Sequence, residues 1–351
     1  MPQGSIGGPI LWLIFTCDQP DIIHEHEVDI SKEDRGCHDH HVHGREGEDG
    51  QGAGQGHVSP VLSDKGCGLL VGYVDDGAYS YSHKEAAVVS EVLTNKYNKL
   101  EGWMNANKLV INADKTHLMI MASRGNTTRK DVTIKAGSYT IQPSETEKLI
   151  GGILHQSLGW KQHIQGHRNS LLSQLTSRLN GLKKVCVNAS FRTRLMIANG
   201  VIMSKLCYLV TLWGGASQYL VRAVQVQQLA AARAVCGVNS WRWSRLKLLN
   251  TVGWLSVKQL IVYHTVLQVH KTLKTGNPRP LYQSLSTNYP YMTRMAAMGQ
   301  IRHDFNFSSH KTFKFRAMQS YNSVPESVRS GSTITVKAKL KKWVRENIPI
   351  D

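Results

Sequence analysis

Two short runs of strand-forming residues, Leu69-Leu70-Val71-Gly72-Tyr73 and Ala78-Tyr79-Ser80-Tyr81, flank Val74-Asp75-Asp76-Gly77. Such runs around an Asp-Gly pair predict a β-hairpin with 74–77 as its loop. From 83 to 108 the period becomes helical, with Val89, Leu93, Tyr97, Leu100 and Met104 along one face. Residues 109–111 and 117–121 read as strands around Asn112-Ala113-Asp114-Lys115-Thr116. A second hairpin is expected from 132–134 and 139–141, and a further strand from 149–154. Beyond Trp160 the pattern is helical. One apolar stripe is Leu171, Leu172, Leu175, Leu179 and Leu182, the next is Leu195, Ile202, Leu206 and Leu209, and a third is Leu220, Val224, Leu229 and Ala232. Residues 256–274 make one more amphipathic helix, after which Gly276-Asn277-Pro278-Arg279-Pro280 breaks the chain. The pattern predicts an α+β protein, with antiparallel strands and packed helices to 159 and mostly helix afterwards. No internal repeat is apparent, so a solenoid is not expected.

Composition changes this picture in one place. Residues 24–57 are rich in Asp, Glu, Gly and His and poor in apolar side chains, so 24–66 reads as an unstructured insert after a short leading segment, 1–23. Cys37, His38, His40, His41 and His43 invite a zinc site, but their spacing matches no closed structural one. Charge is divided just as sharply. Residues 1–66 carry 4 Lys and Arg against 12 Asp and Glu, a net −8, while the rest carries 38 against 13, a net +25. So basic a surface points to a polyanion, with nucleic acid first and a membrane surface second. Arg168, Arg178, Lys183, Lys184, Arg192, Arg194 and Lys205 lie off the apolar stripes, where they would meet phosphates or simply solvent. Ser240-Trp241-Arg242-Trp243-Ser244-Arg245 interleaves aromatics with arginines, a pattern suited to base stacking and equally to tryptophans buried between helices. Six cysteines without Cys-x-x-Cys spacing argue for reduced thiols and an intracellular setting, nucleus or cytoplasm. The apolar run 10–15 is too short to span a bilayer and no Lys or Arg precedes it, so secretion and membrane insertion are not expected.

The hairpin carries the chemistry. Two carboxylates about 4 Å apart repel by roughly 4 kcal/mol at an effective dielectric near 20. Unless they point apart into water, a cation belongs between them, and Mg2+ is commonly held by one or two carboxylates plus substrate phosphates. A solvated turn is the alternative. Tyr73-Val74-Asp75-Asp76 resembles the Tyr-x-Asp-Asp motif of reverse transcriptases. Pro2-Gln3-Gly4-Ser5-Ile6-Gly7-Gly8-Pro9 is similar to the segment preceding that motif in the family. Trp103-Met104-Asn105-Ala106-Asn107-Lys108-Leu109 with Asn112-Ala113-Asp114-Lys115-Thr116 resembles the next palm motif of non-LTR (LINE-type) retrotransposon polymerases. Glu147-Lys148-Leu149-Ile150-Gly151-Gly152, followed by Trp160-Lys161-Gln162-His163-Ile164, resembles their primer grip.

The resemblance implies a partial polymerase palm with its start at 1–23 and its body at 67–159. A helical thumb-like region, 160–279, and a basic C-terminal extension ending in a helix, 280–351, follow. It implies RNA-directed DNA polymerase chemistry, in which paired metal ions stabilise the attacking and leaving oxygens. Asp75 and Asp76 would be the Mg2+ ligands, with Mn2+ possible, and Lys115 would be the general acid at the leaving pyrophosphate. Gln3, Gly4 and Tyr73 would position nucleotide and template, and Lys183, Lys184, Arg192 and Arg194 would contact nucleic acid. The implied partners are an RNA template, a DNA primer and deoxynucleotides. No residue matches the family's first palm aspartate motif, and the fingers are absent from these 351 residues, so the expectation is a fragment incompetent alone. The alternatives are a non-catalytic nucleic-acid-binding protein derived from a retroelement and a degenerate open reading frame.

Overall fold

The computed structural model describes residues 67–73, 76–122, 131–137, 139–238, 243–285, 294–302 and 312–350. The leading segment with Gln3 and Gly4, the insert at 24–66, and Val74 and Asp75 lie outside them. The chain divides into two compact units, Met1–Ile150 and Gly151–Asp351.

In the first unit, β1 (Cys67–Tyr73) and β2 (Asp76–Ser82) form an antiparallel hairpin. Tyr73 pairs with Asp76, and Gly72 with Gly77. The loop is therefore shorter than expected, because Asp76 and Gly77 belong to the strand. Helix α1 (Ala86–Ala106) follows the expected span closely and packs on β2 and on β4 (Ile134–Ala136), which pairs with β5 (Tyr139–Ile141). Two hydroxyls on α1 satisfy amides of the β4 segment: Ser90 Oγ accepts from Thr133 N at 3.2 Å, and Thr94 Oγ1 from Lys135 N at 3.2 Å. Tyr97, Leu118, Val132, Ile134, Ala136 and Ile141 make the core, with Val89 and Leu93 packed against it.

Three strand expectations are corrected. Residues 109–111 form no strand, and Val110 is 88% exposed. The 117–121 run shrinks to β3 (Leu118–Met119), which pairs in parallel with β6 (Pro143–Ser144). The 149–154 run is interrupted at Ile150 and Gly151, both at positive φ, leaving β7 (Thr146–Leu149) and β8 (Gly152–His155). The first two runs lack a partner edge along their full length, and in the third the two positive-φ residues divide the run.

The second unit is helical apart from β8: α2 (Lys161–Ile164), α3 (Leu171–Val185), α4 (Phe191–Ala198), a π-helical turn (Asn199–Met203), α5 (Ser204–Cys207), α6 (Val210–Trp213), α7 (Gln218–Cys236), α8 (Arg245–Val252), α9 (Val257–Thr275), α10 (Arg279–Ser284), α11 (Arg294–Ala297), α12 (Phe313–Ser323), α13 (Glu326–Arg329) and α14 (Thr333–Asn347). Leu171, Leu175, Leu179 and Leu182 are buried, as the stripe predicts, against Leu220, Val224, Leu229 and Ala232 of α7. Serine or threonine caps open α3, α4, α8, α9, α12 and α14, each hydroxyl accepting the amide three residues on. On α9 the cap is a full capping box, Ser256 with Gln259. Helices α7, α8 and α9 end on glycines in the left-handed region, Gly237, Gly253 and Gly276.

The second stripe is core as expected, with Ile202 and Leu206 fully buried, but it does not ride on one helix. The π turn breaks it after Ala198, and Leu209, at φ 55°, breaks it again. Just beyond, a Cβ at Gly214 would lie 2.6 Å from Val210 O and 2.7 Å from Ile261 Cγ2, so only glycine fits where the chain meets α9. The 280–351 stretch ends in a helix, α14, and contributes to the same core. Ala317, Met318, Tyr321, Leu340 and Val344 join the same core, and α12 and α14 both pack on α9. Among the described residues no helix is long and apolar enough to cross a membrane.

Candidate nucleic-acid interface

At the hairpin, the register brings Tyr73 and Asp76 opposite one another at the last paired position before the turn. Helix α1 contacts β2, and Lys96 Nζ lies 5.9 Å from the ring centre of Tyr79. Helix α1 ends in a Schellman motif. Lys108 sits at φ 58°, its amide donates to Asn105 O at 3.0 Å, and Leu109 N donates to Met104 O at 2.8 Å. The Asn112–Thr116 segment then folds into a 3-10 turn, Ala113–Lys115. Asn112 Oδ1 accepts from Asp114 N at 3.0 Å, and Asn112 O accepts from Thr116 Oγ1 at 3.0 Å. This side-chain-to-backbone turn is what Asn and Thr favour, and it leaves Lys115 exposed. Among the described residues no group of three or more His, Cys, Asp or Glu side chains could hold a metal ion.

The basic candidates of the second unit fall into two kinds. Lys183 and Lys184 are exposed on the last turn of α3, Arg192 is exposed on the first turn of α4, and these two helices touch. The structure thus gathers three of the four expected phosphate-contacting residues around one interhelical joint. Arg194 is different: its Nε donates to Ala189 O at 2.8 Å, so the guanidinium secures the loop into α4. Arg178 likewise donates to Val201 O, at 2.8 Å, inside the π turn. Neither spacing nor composition separates the two kinds, because both put arginine beside an apolar stripe.

Several functional-looking polar groups escaped the sequence pattern. His163 is buried, accepts the Ile153 amide on Nδ1 at 3.2 Å, and stands edge-on to Trp160 with ring centres 5.9 Å apart. Burial, with a smaller contribution from Lys205, pushes its pKa down to about 4, so the ring is neutral at physiological pH. Three buried glutamines knit the joint between α8 and α9. Gln225 Oε1 accepts from Val257 N at 2.7 Å, Gln225 Nε2 donates to Gln228 at 2.8 Å, and Gln228 Nε2 donates to Leu255 O at 2.9 Å. Gln259 Nε2 donates to Ile348 O at 2.9 Å. Arg316 donates through Nη2 to Thr211 O and Leu212 O at 3.0 and 3.2 Å. Residues 239–242 of the tryptophan–arginine stretch lie outside the described residues. Trp243 itself packs on the core and carries Lys247 Nζ at 4.4 Å from its ring centre. Cys186, Cys207 and Cys236 are free, and burial raises all three thiols, Cys207 to about 11. In comparisons with known proteins, no family model, no curated protein and no solved structure matches the chain.

Proposed function

We propose that the chain is a reverse-transcriptase-derived protein whose helical unit binds the backbone of a template–primer duplex without reading its sequence. The observation that carries this is the exposed cluster Lys183, Lys184 and Arg192 at the α3–α4 joint, on helices whose opposite stripes are buried. Side chains held off the core by that amphipathicity are available to phosphates, and phosphate contacts supply affinity and register rather than sequence information. The hairpin register supports the same family reading at the other motif, because Asp76 begins a strand next to Asp75, where Mg2+ or Mn2+ would be held by the two carboxylates. Lys115, exposed on its turn, is free to serve as a proton donor to a leaving group.

Fluorescence anisotropy over a salt series tests the binding. Reversing Lys183, Lys184 and Arg192 to Glu should flatten the dependence of log affinity on log salt by about 0.9 per lost phosphate contact on duplex DNA. An RNA–DNA hybrid should bind at least as well as B-form DNA. A slope unmoved by the triple reversal overturns the proposal. Polymerisation by these 351 residues alone is not expected, since no segment resembles the first palm aspartate motif. Template-dependent incorporation that Asp76→Ala abolishes would refute that expectation.

A further inference from the structure

We infer that α14 presents a second duplex-binding surface, separate from the α3–α4 joint, made of Lys337, Lys341 and Lys342. On α14, Val336, Leu340 and Val344 are fully buried and the helix packs on α9, which fixes the opposite face outward. Lys337 and Lys341 on the flank of that stripe and Lys342 on the outer face are all exposed and without a carboxylate partner among the described residues, and Lys339 is tied to Ser327 O at 2.9 Å beside them. Lys337 and Lys341 are one helical turn apart, so they lie in a row along the axis.

Three features narrow the partner. First, Val336, Leu340 and Val344 of α14 are spent in the core and Ile334 is its one exposed large apolar side chain, too little for the continuous apolar face that a membrane surface or a calmodulin-like groove takes. Second, its aromatic residue, Trp343, is partly buried and packed on the core, which leaves no exposed ring on this helix for stacking unpaired bases. Third, lysines act as point charges that suit phosphate without selecting a base. Point charges with neither an inserting apolar face nor a stacking ring fit best the closely spaced phosphates of a double-stranded nucleic acid. The surface is separate from the first one in that the α3–α4 joint is built on α7, whereas α14 packs on α9 and α13.

The test uses the full chain and a fluorescent duplex of mixed sequence in a salt series. Lys337→Glu, Lys341→Glu and Lys342→Glu together should lower the salt slope by about 2.7, so that between 50 and 200 mM salt the wild type loses roughly forty-fold more affinity than the variant. The Lys→Gln version of the same triple should lower the slope in the same direction, with an unchanged thermal unfolding transition showing that the fold is intact. Combining it with the α3–α4 reversal should lower the slope further than either alone. A slope unchanged in the Gln triple overturns the inference, whether or not the α3–α4 joint binds. Binding to phosphatidylserine vesicles that this triple abolishes, with duplex affinity untouched, overturns it too.

Discussion

Lys108 occupies a backbone conformation that suits glycine. A side chain in the left-handed region costs roughly 1–2 kcal/mol, and glycine loses roughly 0.5–1 kcal/mol more chain entropy on folding. The first term is the larger, so Lys108→Gly should stabilise the first unit by about 0.5–1 kcal/mol in urea unfolding, at the C-terminus of α1 where the Schellman bonds already exist. His163 makes the opposite kind of statement. Its folded pKa lies near 4 and its unfolded value near 6.5, so above 6.5 both states are neutral there and its full contribution is present. As pH falls from about 6.5 towards 4 the unfolded chain takes up the proton first, and stability declines by something on the order of 2 kcal/mol. His163→Gln keeps an acceptor for the Ile153 amide and removes the titration. The pH dependence of unfolding between 6.5 and 4 should then be shallower in the variant, and an identical slope would show that His163 does not carry it.

Among elements, the α8–α9 joint depends on polar groups in an apolar setting. Gln225 both supplies the acceptor for the first amide of α9 and holds Gln228. Gln225→Leu keeps the volume but leaves Val257 N–H without an acceptor and Gln228 Oε1 without its donor, so it should destabilise the chain by about 2–4 kcal/mol, against well under 1 kcal/mol for a surface Gln→Leu. The legible and illegible parts of the fold divide along similar lines. Helices α1, α3, α7 and α9 were readable because each keeps a 3.6-residue apolar period and most are bracketed by a hydroxyl cap, a terminal glycine or both. The π turn was not, since the bond that Arg178 makes to Val201 O comes from another helix, and neither the left-handed Leu209 nor the pairing of Asp76 with Tyr73 leaves a periodic signal. At the candidate site, the sequence marked Lys183, Lys184 and Arg192 correctly as off-core, but it had no means to tell them from Arg194, whose partner is a main-chain carbonyl.

For the whole molecule, charge is divided as sharply as structure. The insert-bearing N-terminal stretch is acidic and the remainder strongly basic. Within the second unit, Arg178, Arg194, Arg316, Arg329 and Arg345 all donate to backbone carbonyls, and none of the five meets a carboxylate among the described residues. Arg329 alone reaches three carbonyls, those of Val324, Gly299 and Met298, and so stitches α13 to the chain before α12. A lattice of ion pairs would weaken as salt screens it, whereas a cation seated on partly buried peptide dipoles is screened far less. The helical unit therefore has two electrostatic systems that answer differently to the same reagent. Raising ionic strength should strip a polyanion from the exposed lysines while the scaffold beneath stays folded, so release would be a reversible act of an intact protein.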